Sequence, residues 1–209
     1  MVSFILNGKK VSSALDPMTS LREALVALGC STVRDSDDGE GFAGSDSVIF
    51  NDEVRYSNLI PLFMAEGAEI RTAESLIKDR KLNDVQRAMV AAGVVQSAYN
   101  SPTVALILTH LLEHKGDATR EDVKDALSSV FIRDAGYEHF YLAVKLVQEE
   151  RREGHYVTPV SPSFRPELDV IGKPTGKIDG DSLVRGEKVF VEDKVMPGAY
   201  ALEVLRSPY

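Results

Sequence analysis

Residues 35–46 read DSDDGEGFAGSD, and the strand-like segment SVIFN (residues 47–51) follows directly. This loop is longer than an ordinary hairpin turn. Gly39, Gly41 and Gly44 can adopt positive φ angles at little steric cost, so the backbone can wrap closely around a ligand or around itself. Glycine-rich loops often hold ligands through backbone amides, but this one offers acidic side chains and no cysteine. What the loop encloses is therefore the central question about function.

The composition excludes several broad classes of protein. The chain has 209 residues, enough for one large domain or two small ones. A net charge of −8 argues against a broad phosphate-binding surface, so we expect no nucleic-acid partner. No apolar run approaches the roughly 20 residues that span a bilayer, and the first residues lack the layout of a signal peptide. Cys30 is the single cysteine, which suits a reducing compartment, and we expect a soluble, cytoplasmic protein.

The first 75 residues have the pattern of a small α+β domain. Asn7-Gly8 is a strong signal for a type I′ hairpin. A helix is predicted next, because apolar residues recur at helical spacing at Leu21, Leu25 and Leu28. Its candidate N-caps are Asp16, Thr19 and Ser20. Short strands are predicted at residues 48–50, 54–56 and 68–72, and a short helix at residues 59–64. We expect a hairpin, a crossing helix and further short strands in one domain.

Helical periodicity takes over from Asn83. Four helices are predicted, with Asp84 as a cap of the first, Pro102 in the first turn of the second, Thr119 at the start of the third, and the fourth over residues 137–150. Short connections between them predict a compact bundle over residues 76–152. Residues 153–169 read as a proline-containing linker. Residues 170–209 are predicted to form short strands that open a further, incomplete domain.

The segment GEGFAG (residues 39–44) matches the G-x-G-x-x-G pattern of dinucleotide-binding loops. That pattern requires a strand before it and a helix after it, so that the pyrophosphate meets a helix N-terminus. Here acidic residues precede the motif and a strand is predicted to follow. We therefore do not expect nucleotide binding.

The segment HLLEH (residues 110–114) matches H-x-x-E-H, and the spacing places His110 and His114 on one helical face. A zinc site needs a third protein ligand, which no sequence motif identifies. The ordinary interpretation is a polar helix end, and the zinc site stays open as an alternative.

The acidic residues of the loop and the single cysteine both have ordinary interpretations. Residues 35–40 lack the alternating ligands and the final glutamate of a calcium-binding loop, so a solvated acidic loop is the better interpretation. Cys30 has no neighbouring base or cation cluster in the sequence, which favours a packed small side chain over a nucleophile.

A set of short motifs occurs in a fixed order along the chain. They are FILNG (residues 4–8), LRE (21–23), VQRA through VQ (85–96), AL (126–127) with GY (136–137), VIGKP (170–174), DG (179–180) and LRSP (205–208). In this order they resemble the molybdenum hydroxylases, the family of xanthine dehydrogenases and aldehyde oxidoreductases. The resemblance implies a ferredoxin-like β-grasp domain (residues 1–75), a four-helix [2Fe–2S]-type domain (76–152), a linker (153–169) and the beginning of an α/β hammerhead domain (170–209).

The resemblance also implies where two iron–sulfur clusters would be held. The corresponding ligand positions are Asp37 (or Asp38), Ala43, Asp46, Asn58, Ser97, Asn100, Ile132 and Asp134. None is a cysteine, whereas clusters are normally held by cysteine thiolates. We therefore expect that both [2Fe–2S] clusters are lost, that the chain holds no cofactor or metal, and that none of its residues is catalytic. We also expect Phe42, Tyr99 and Phe131 to fill the space, since empty apolar cavities cost on the order of 24 cal/mol per Å3.

The departures from cysteine are similar to those of a bacterial subgroup known as hypoxanthine oxidases, or as the molybdenum-binding subunit of a selenate reductase. This similarity implies a scaffold and docking region of a molybdopterin-dependent purine or aldehyde hydroxylase. The implied partners are the molybdopterin-binding domain of the same polypeptide, a separate FAD or iron–sulfur electron carrier, and a second copy in a homodimer. Gln96 matches a glutamine that lies near the pterin in the family, so it is the expected molybdopterin contact; a buried helix-end glutamine is the alternative.

A second function class remains open. The chain could act as a non-catalytic interaction module whose acidic loop, residues 35–46, docks a basic partner. Asp37, Asp38 and Asp46 would then carry the binding, and neutralising them would abolish it without unfolding the protein.

Overall fold

The computed structural model describes residues 1–36, 39–131, 135–156 and 177–187, and near the end of the chain residues 197–198, 200, 202 and 204–207. Within these residues it is an α+β structure, as predicted. The strands are β1 (Val2–Leu6), β2 (Lys9–Ser13), β3 (Ser47–Phe50), β4 (Glu53–Tyr56) and β5 (Glu69–Arg71). The α-helices are α1 (Leu21–Ala27), α2 (Asp84–Ala91), α3 (Ser101–His114), α4 (Arg120–Ala126), α5 (Tyr137–Glu153) and α6 (Gly180–Val184). One-turn 3₁₀ helices lie at Ser57–Leu59, Leu62–Ala65 and Ala73–Leu76.

The five strands form one mixed sheet in the order β2-β1-β5-β3-β4. β1 and β5 run parallel, and the other neighbouring pairs are antiparallel. The β1–β2 turn has positive φ at both Asn7 (50°) and Gly8 (78°), as the predicted type I′ hairpin requires. The β3–β4 turn repeats this geometry at Asn51 (46°) and Asp52 (67°).

Helix α1 covers the sheet and closes the first hydrophobic core. Leu21 and Leu25 of α1 pack with Phe4 of β1 and Ile70 of β5, and all four are at most 1% exposed. The helix begins at Ser20, whose side chain accepts the N–H of Glu23 while the glutamate side chain returns to the N–H of Ser20. This reciprocal capping box identifies Ser20 among the three candidate caps.

The second core belongs to helices α2 to α5. Local signals place these helices as predicted, with Pro102 in the first turn of α3 and a capping box between Thr119 and Asp122 on α4. The cap of α2 is Asn83, not Asp84, because the Asn83 side chain accepts the N–H of Gln86 at 2.8 Å. Asp84 instead occupies the first helical position.

Two elements outside the bundle complete its core. Ile49 of β3, 2% exposed, packs into the helical core and so connects the sheet to the bundle. Leu183 and Val184 of α6 are 5% and 0% exposed in the same core. Asp179 lies in a turn directly before α6, at the predicted turn position, but the prediction of short strands over residues 180–184 is wrong. The segment is helical because its apolar face is buried against α2 and α3.

The predicted linker and most of the predicted last domain, including residues 170–174, lie outside the described residues. Among the helices that the structure does describe, each is too short or too polar to cross a bilayer.

Candidate functional site

The glycine-rich loop turns sharply at the three predicted positions. Gly39, Gly41 and Gly44 have φ angles of 79°, 76° and 78°. A β-carbon on Gly44 would lie 2.4 Å from the carbonyl oxygen of Ser129, and one on Gly41 would lie 2.5 Å from the Cδ1 atom of Leu59. Glycine is therefore required at Gly44 by close approach of the backbone as well as by φ, whereas at Gly41 the exposed Leu59 side chain can move and φ is the main requirement. Because β3, not a helix, follows the loop, the structural condition for nucleotide binding is not met.

Hydrogen bonds join this loop to the helical unit. The N–H of Phe131 donates to the carbonyl oxygen of Ala43 at 3.0 Å. The hydroxyl of Thr103, in the first turn of α3, donates to the carbonyl oxygen of Ser45 at 2.9 Å. Since these carbonyl groups belong to the buried half of the loop, the loop acts as a joint between the sheet and the bundle.

An open cleft of about 410 Å3 lies at this joint. The loop, the segment before α3 and the segment after α4 supply its lining: Ser36, Phe42, Ala43, Ser97, Tyr99, Asn100 and Phe131. Phe42 and Phe131 are 56% and 52% exposed, while the Tyr99 hydroxyl donates to the carbonyl oxygen of Asp35 at 2.6 Å. The expectation that these three aromatic side chains would fill the space is therefore wrong. They line a cleft that opens to the surface, where no enclosed void has to be filled.

Five of the eight expected ligand positions lie within the described residues, and the structure sorts them into two groups. Ala43, Ser97 and Asn100 line the cleft. Asp46 and Asn58 are paired with each other, since the N–H of Asn58 donates to Asp46 Oδ2 at 2.7 Å. The three positions outside the described residues are Asp37, Ile132 and Asp134.

Asp46 is an internal residue and not part of an acidic surface. It is 1% exposed, and its carboxylate also accepts the hydroxyl of Ser57 at 3.4 Å. A buried carboxylate must be hydrogen-bonded to be tolerated, and here it receives its donors from the turn at Ser57–Leu59. Of the three aspartates assigned to an acidic docking loop, Asp46 is thus removed from the surface, and Asp37 and Asp38 lie outside the described residues.

Gln96 lies at the surface, one residue before the cleft-lining Ser97. Its side chain is exposed, and its amide donates to the carbonyl oxygen of Gly93 at 2.8 Å. The alternative of a buried helix-end glutamine is therefore wrong, and the side chain is accessible from the surface.

Cys30 is a packed core residue, as the sequence predicts. It is 5% exposed, and burial together with the negative charge of Glu74 raises the pKa of its thiol to about 11, against a weaker lowering effect of the Thr72 hydroxyl. A thiol with this pKa is protonated at neutral pH and is not a nucleophile.

Comparison with known proteins identifies the class of this fold and site. The family model of the [2Fe-2S] binding domain matches residues 72–145. The chain is 42% identical, over all 209 residues, to the probable hypoxanthine oxidase XdhD of Escherichia coli strain K12, of which it covers 22%. It is 29% identical over 149 residues to the nicotinate dehydrogenase small FeS subunit of Eubacterium barkeri, a match that covers 71% of this chain and 94% of that subunit. The crystal structure of the aldehyde oxidoreductase from Desulfovibrio desulfuricans shares the fold, with a TM-score of 0.78 at 22% identity over 92% of this chain and 22% of that chain.

These matches relate the chain to molybdenum-containing oxidoreductases, with the [2Fe-2S] binding domain matched over residues 72–145. The chain belongs to the molybdenum hydroxylase family and corresponds to its [2Fe–2S] region, so it is a component of such an enzyme. It spans only 22% of the length of the XdhD proteins that it matches.

The comparisons correct the expectation about cofactors. The match to a [2Fe-2S] binding domain and the relatives that are iron–sulfur subunits point to a [2Fe–2S] cofactor, against the expectation that the chain holds none. These comparisons lead us to expect iron and acid-labile sulfide in anaerobically purified protein. Colourless, iron-free protein would contradict the assignment of a [2Fe–2S] cofactor.

None of the side chains at the five described ligand positions carries a thiolate: four have polar groups, and the methyl group of Ala43 cannot ligate. Asn58 Nδ2 and Asn100 Oδ1 are buried and have no hydrogen-bond partner within the described residues, although buried amide groups are normally paired. Ser97 and Asp46 supply hydroxyl and carboxylate oxygens. This set differs from the cysteine ligation that is usual for a cluster, so we derive no electron-transfer step through these residues.

Proposed function

We propose that this chain is the scaffold and docking region for the molybdopterin-binding part of a hydroxylase that acts on purines, with aldehydes as the second substrate class. The name of its 42%-identical relative, a hypoxanthine oxidase, favours the purine. The matched relative continues well beyond the region that this chain covers, and that remainder is the partner we propose.

The observation that carries the docking proposal is the pair of exposed aromatic side chains at the cleft. Phe42 and Phe131 are each more than half exposed and line the same cleft from opposite units of the fold. Large apolar side chains grouped on a surface mark interaction sites more often than isolated ones do. Aromatic residues are also enriched at protein interfaces.

Gln96 is the residue that we assign to the cofactor of the partner. Its exposed carboxamide, one residue before the cleft-lining Ser97, keeps one N–H donor and the oxygen acceptor beyond its bond to Gly93. This combination complements the donors and acceptors along the edge of a pterin ring. The hydrogen bond to Gly93 fixes the direction of the side chain before the partner arrives.

A docking experiment tests the proposal directly. The chain and the molybdopterin-containing remainder of the enzyme are produced separately, and their dissociation constant is measured. We expect the double variant Phe42→Ser, Phe131→Ser to weaken binding at least tenfold. Phe63→Ser is the matched control, because Phe63 is 50% exposed in the turn at Leu62–Ala65, away from the residues that line the cleft. Equal losses in the double variant and the control, or no loss in either, would contradict the proposal.

Activity of the full-length enzyme tests the substrate and the role of Gln96. We expect hypoxanthine to give a higher kcat/KM than an aldehyde, and Gln96→Ala to lower turnover while Gln96→Glu retains part of it. A cytoplasmic location, an FAD or iron–sulfur electron acceptor and a homodimeric state belong to the same proposal. Activity with aldehydes alone would contradict the purine assignment but not the docking role.

A further inference from the structure

Helix α3 ends in two histidines that face the same way. His110 and His114 are one helical turn apart, and their ring centroids lie 4.4 Å from each other. The sequence motif alone lacked a third ligand, which is why a polar helix end was its ordinary interpretation.

The fold supplies a third group from a distant part of the chain. Asp52 lies in the tight β3–β4 turn, and β3 packs against α3. Its Oδ2 atom lies 3.0 Å from His114 Nε2, and its Oδ1 atom lies 3.8 Å from His110 Nδ1. The three candidate ligand atoms all fall within 4.8 Å of one another.

The two imidazoles present the right atoms. His110 Nδ1 is buried and makes no hydrogen bond within the described residues, on a side chain that is 13% exposed. His114 Nδ1 lies 3.0 Å from the carbonyl oxygen of His110, a contact in which the ring donates its Nδ1–H. This contact leaves Nε2 as the outward atom, the arrangement in which a backbone acceptor orients a metal-binding histidine.

We propose that Asp52, His110 and His114 form a binding site for a divalent transition metal ion, with Zn2+ the best fit. Two imidazole nitrogens and one carboxylate oxygen suit zinc, nickel or copper and disfavour magnesium and calcium. Metal–ligand bonds of about 2.0–2.2 Å in tetrahedral geometry separate neighbouring ligand atoms by about 3.3 Å. The distances between the candidate ligand atoms of Asp52, His110 and His114 are close to this value, so small side-chain rotations would bring all three atoms within bonding distance of one ion.

The charges around the site are compatible with a cation. Arg71 of β5 is the nearby positive group, and both of its terminal nitrogens bond the carboxylate of Glu113, at 2.7 and 3.1 Å, so its charge is largely offset. Without metal, His114 donates to both the His110 carbonyl and Asp52, and these two contacts raise its pKa. The pKa of His110 is lowered, chiefly by burial and next by His114, with Arg71 acting in the same direction and Asp52 and Glu113 opposing it.

Such an ion would link the two units of the fold. Asp52 belongs to the sheet and the histidines belong to the bundle, so the metal would crosslink them beside the β3–α3 contact. Three protein ligands leave a fourth position for water or for a group of the partner protein.

Zinc titration of the untagged chain, freed of metal by a chelator, tests this assignment. We expect one Zn2+ per chain by calorimetry, and visible d–d absorption when Co2+ replaces Zn2+. Asp52→Asn and His114→Gln are expected to weaken Zn2+ binding at least tenfold, in the range that the loss of metal-site contacts usually produces. Both positions are exposed, and asparagine tolerates the positive φ of residue 52, so both variants keep the fold.

His155→Gln is the matched control, because His155 is another exposed histidine beside a single carboxylate, with its Nε2 atom 3.6 Å from Glu153 Oε2. Unchanged zinc affinity in this control supports the site. Two results would overturn it: no Zn2+ bound to the parent chain, or equal affinity in the parent and both site variants. The second would mean adventitious binding elsewhere, with the cluster acting only as an imidazolium–carboxylate link.

Discussion

The carbonyl oxygen of Ser129 occupies the space in which Gly44 would carry a side chain, 2.4 Å from the position of a β-carbon. We therefore expect Gly44→Ala to destabilise the protein by about 3 kcal/mol or more, since the strain at positive φ and the overpacking add. Gly39→Ala is the control: its φ of 79° is similar, but nothing lies within 4 Å of its β-carbon position. That variant should lose only about 1–2 kcal/mol. Urea unfolding measures both, and equal losses would show that the contact with Ser129 is unimportant.

Asp46 should matter for stability and not for surface charge. Asp46→Ala leaves the part-buried N–H of Asn58 without its acceptor, which costs about 1–3 kcal/mol in the free energy of unfolding. Asp16→Ala removes a similar contact to the N–H of Met18, but at an exposed turn where water replaces it, so we expect a change within about 0.5 kcal/mol. If Asp46→Ala were as mild as this control, the internal role of the carboxylate would be refuted.

Cys30 should resist thiol reagents in the folded protein. Its pKa of about 11 means that very little thiolate exists at about pH 8, so we expect alkylation about a hundredfold slower than for an ordinary exposed cysteine. A Ser31→Cys substitution in a Cys30→Ala background provides the comparison, since Ser31 is exposed and adjacent. Mass spectrometry over time gives both rates. Reaction of Cys30 at the rate of Cys at position 31 would contradict its burial.

The capping box of α4 should confer an acid-dependent stability. The hydrogen bond from Lys115, followed by those from the side chain and backbone of Thr119, lowers the pKa of Asp122 from 3.8 to about 2. Because the folded pKa is the lower one, this stabilisation is fully present above the unfolded pKa and is lost as the pH falls towards about 2. Asp122→Asn should remove the dependence in that window, whereas Asp125→Asn, at an exposed position of the same helix, should keep it. Thermal melts from pH 5 down to 2 make the comparison, and superimposable profiles of parent and Asp122→Asn would argue against it.

Features determined by a few neighbouring residues could be predicted from the sequence. The Asn7-Gly8 hairpin, the helix start at Thr119 and the positive φ of Gly44 depend on local backbone preferences, and the structure confirms them. The α+β class could be predicted because the spacing of apolar residues changes from a strand-like to a helical pattern near Asn83. The close fit of Gly44 against Ser129 was not predictable, because it depends on a contact between separate units.

Features determined by packing between distant segments could not be predicted. Residues 180–184 are predicted to belong to short strands, yet they form a helix because Val184 becomes fully buried in the helical core. The same reason explains the candidate metal site. His110 and His114 were visible as a motif, but Asp52 joins them only through the packing of β3 against α3, a contact for which a single sequence carries no signal.

The joint between the loop and the bundle also has a consequence for the order in which the protein is made. Ser45 accepts its hydrogen bond from a residue 58 positions later, and Tyr56 donates to a carbonyl 73 positions later. On the ribosome, the sheet and α1 emerge before those partners do, because the chain is made and released from its N-terminal end. The first unit therefore leaves the exit tunnel without the hydrogen bonds that join it to the bundle, and these bonds form only when the bundle has followed it out.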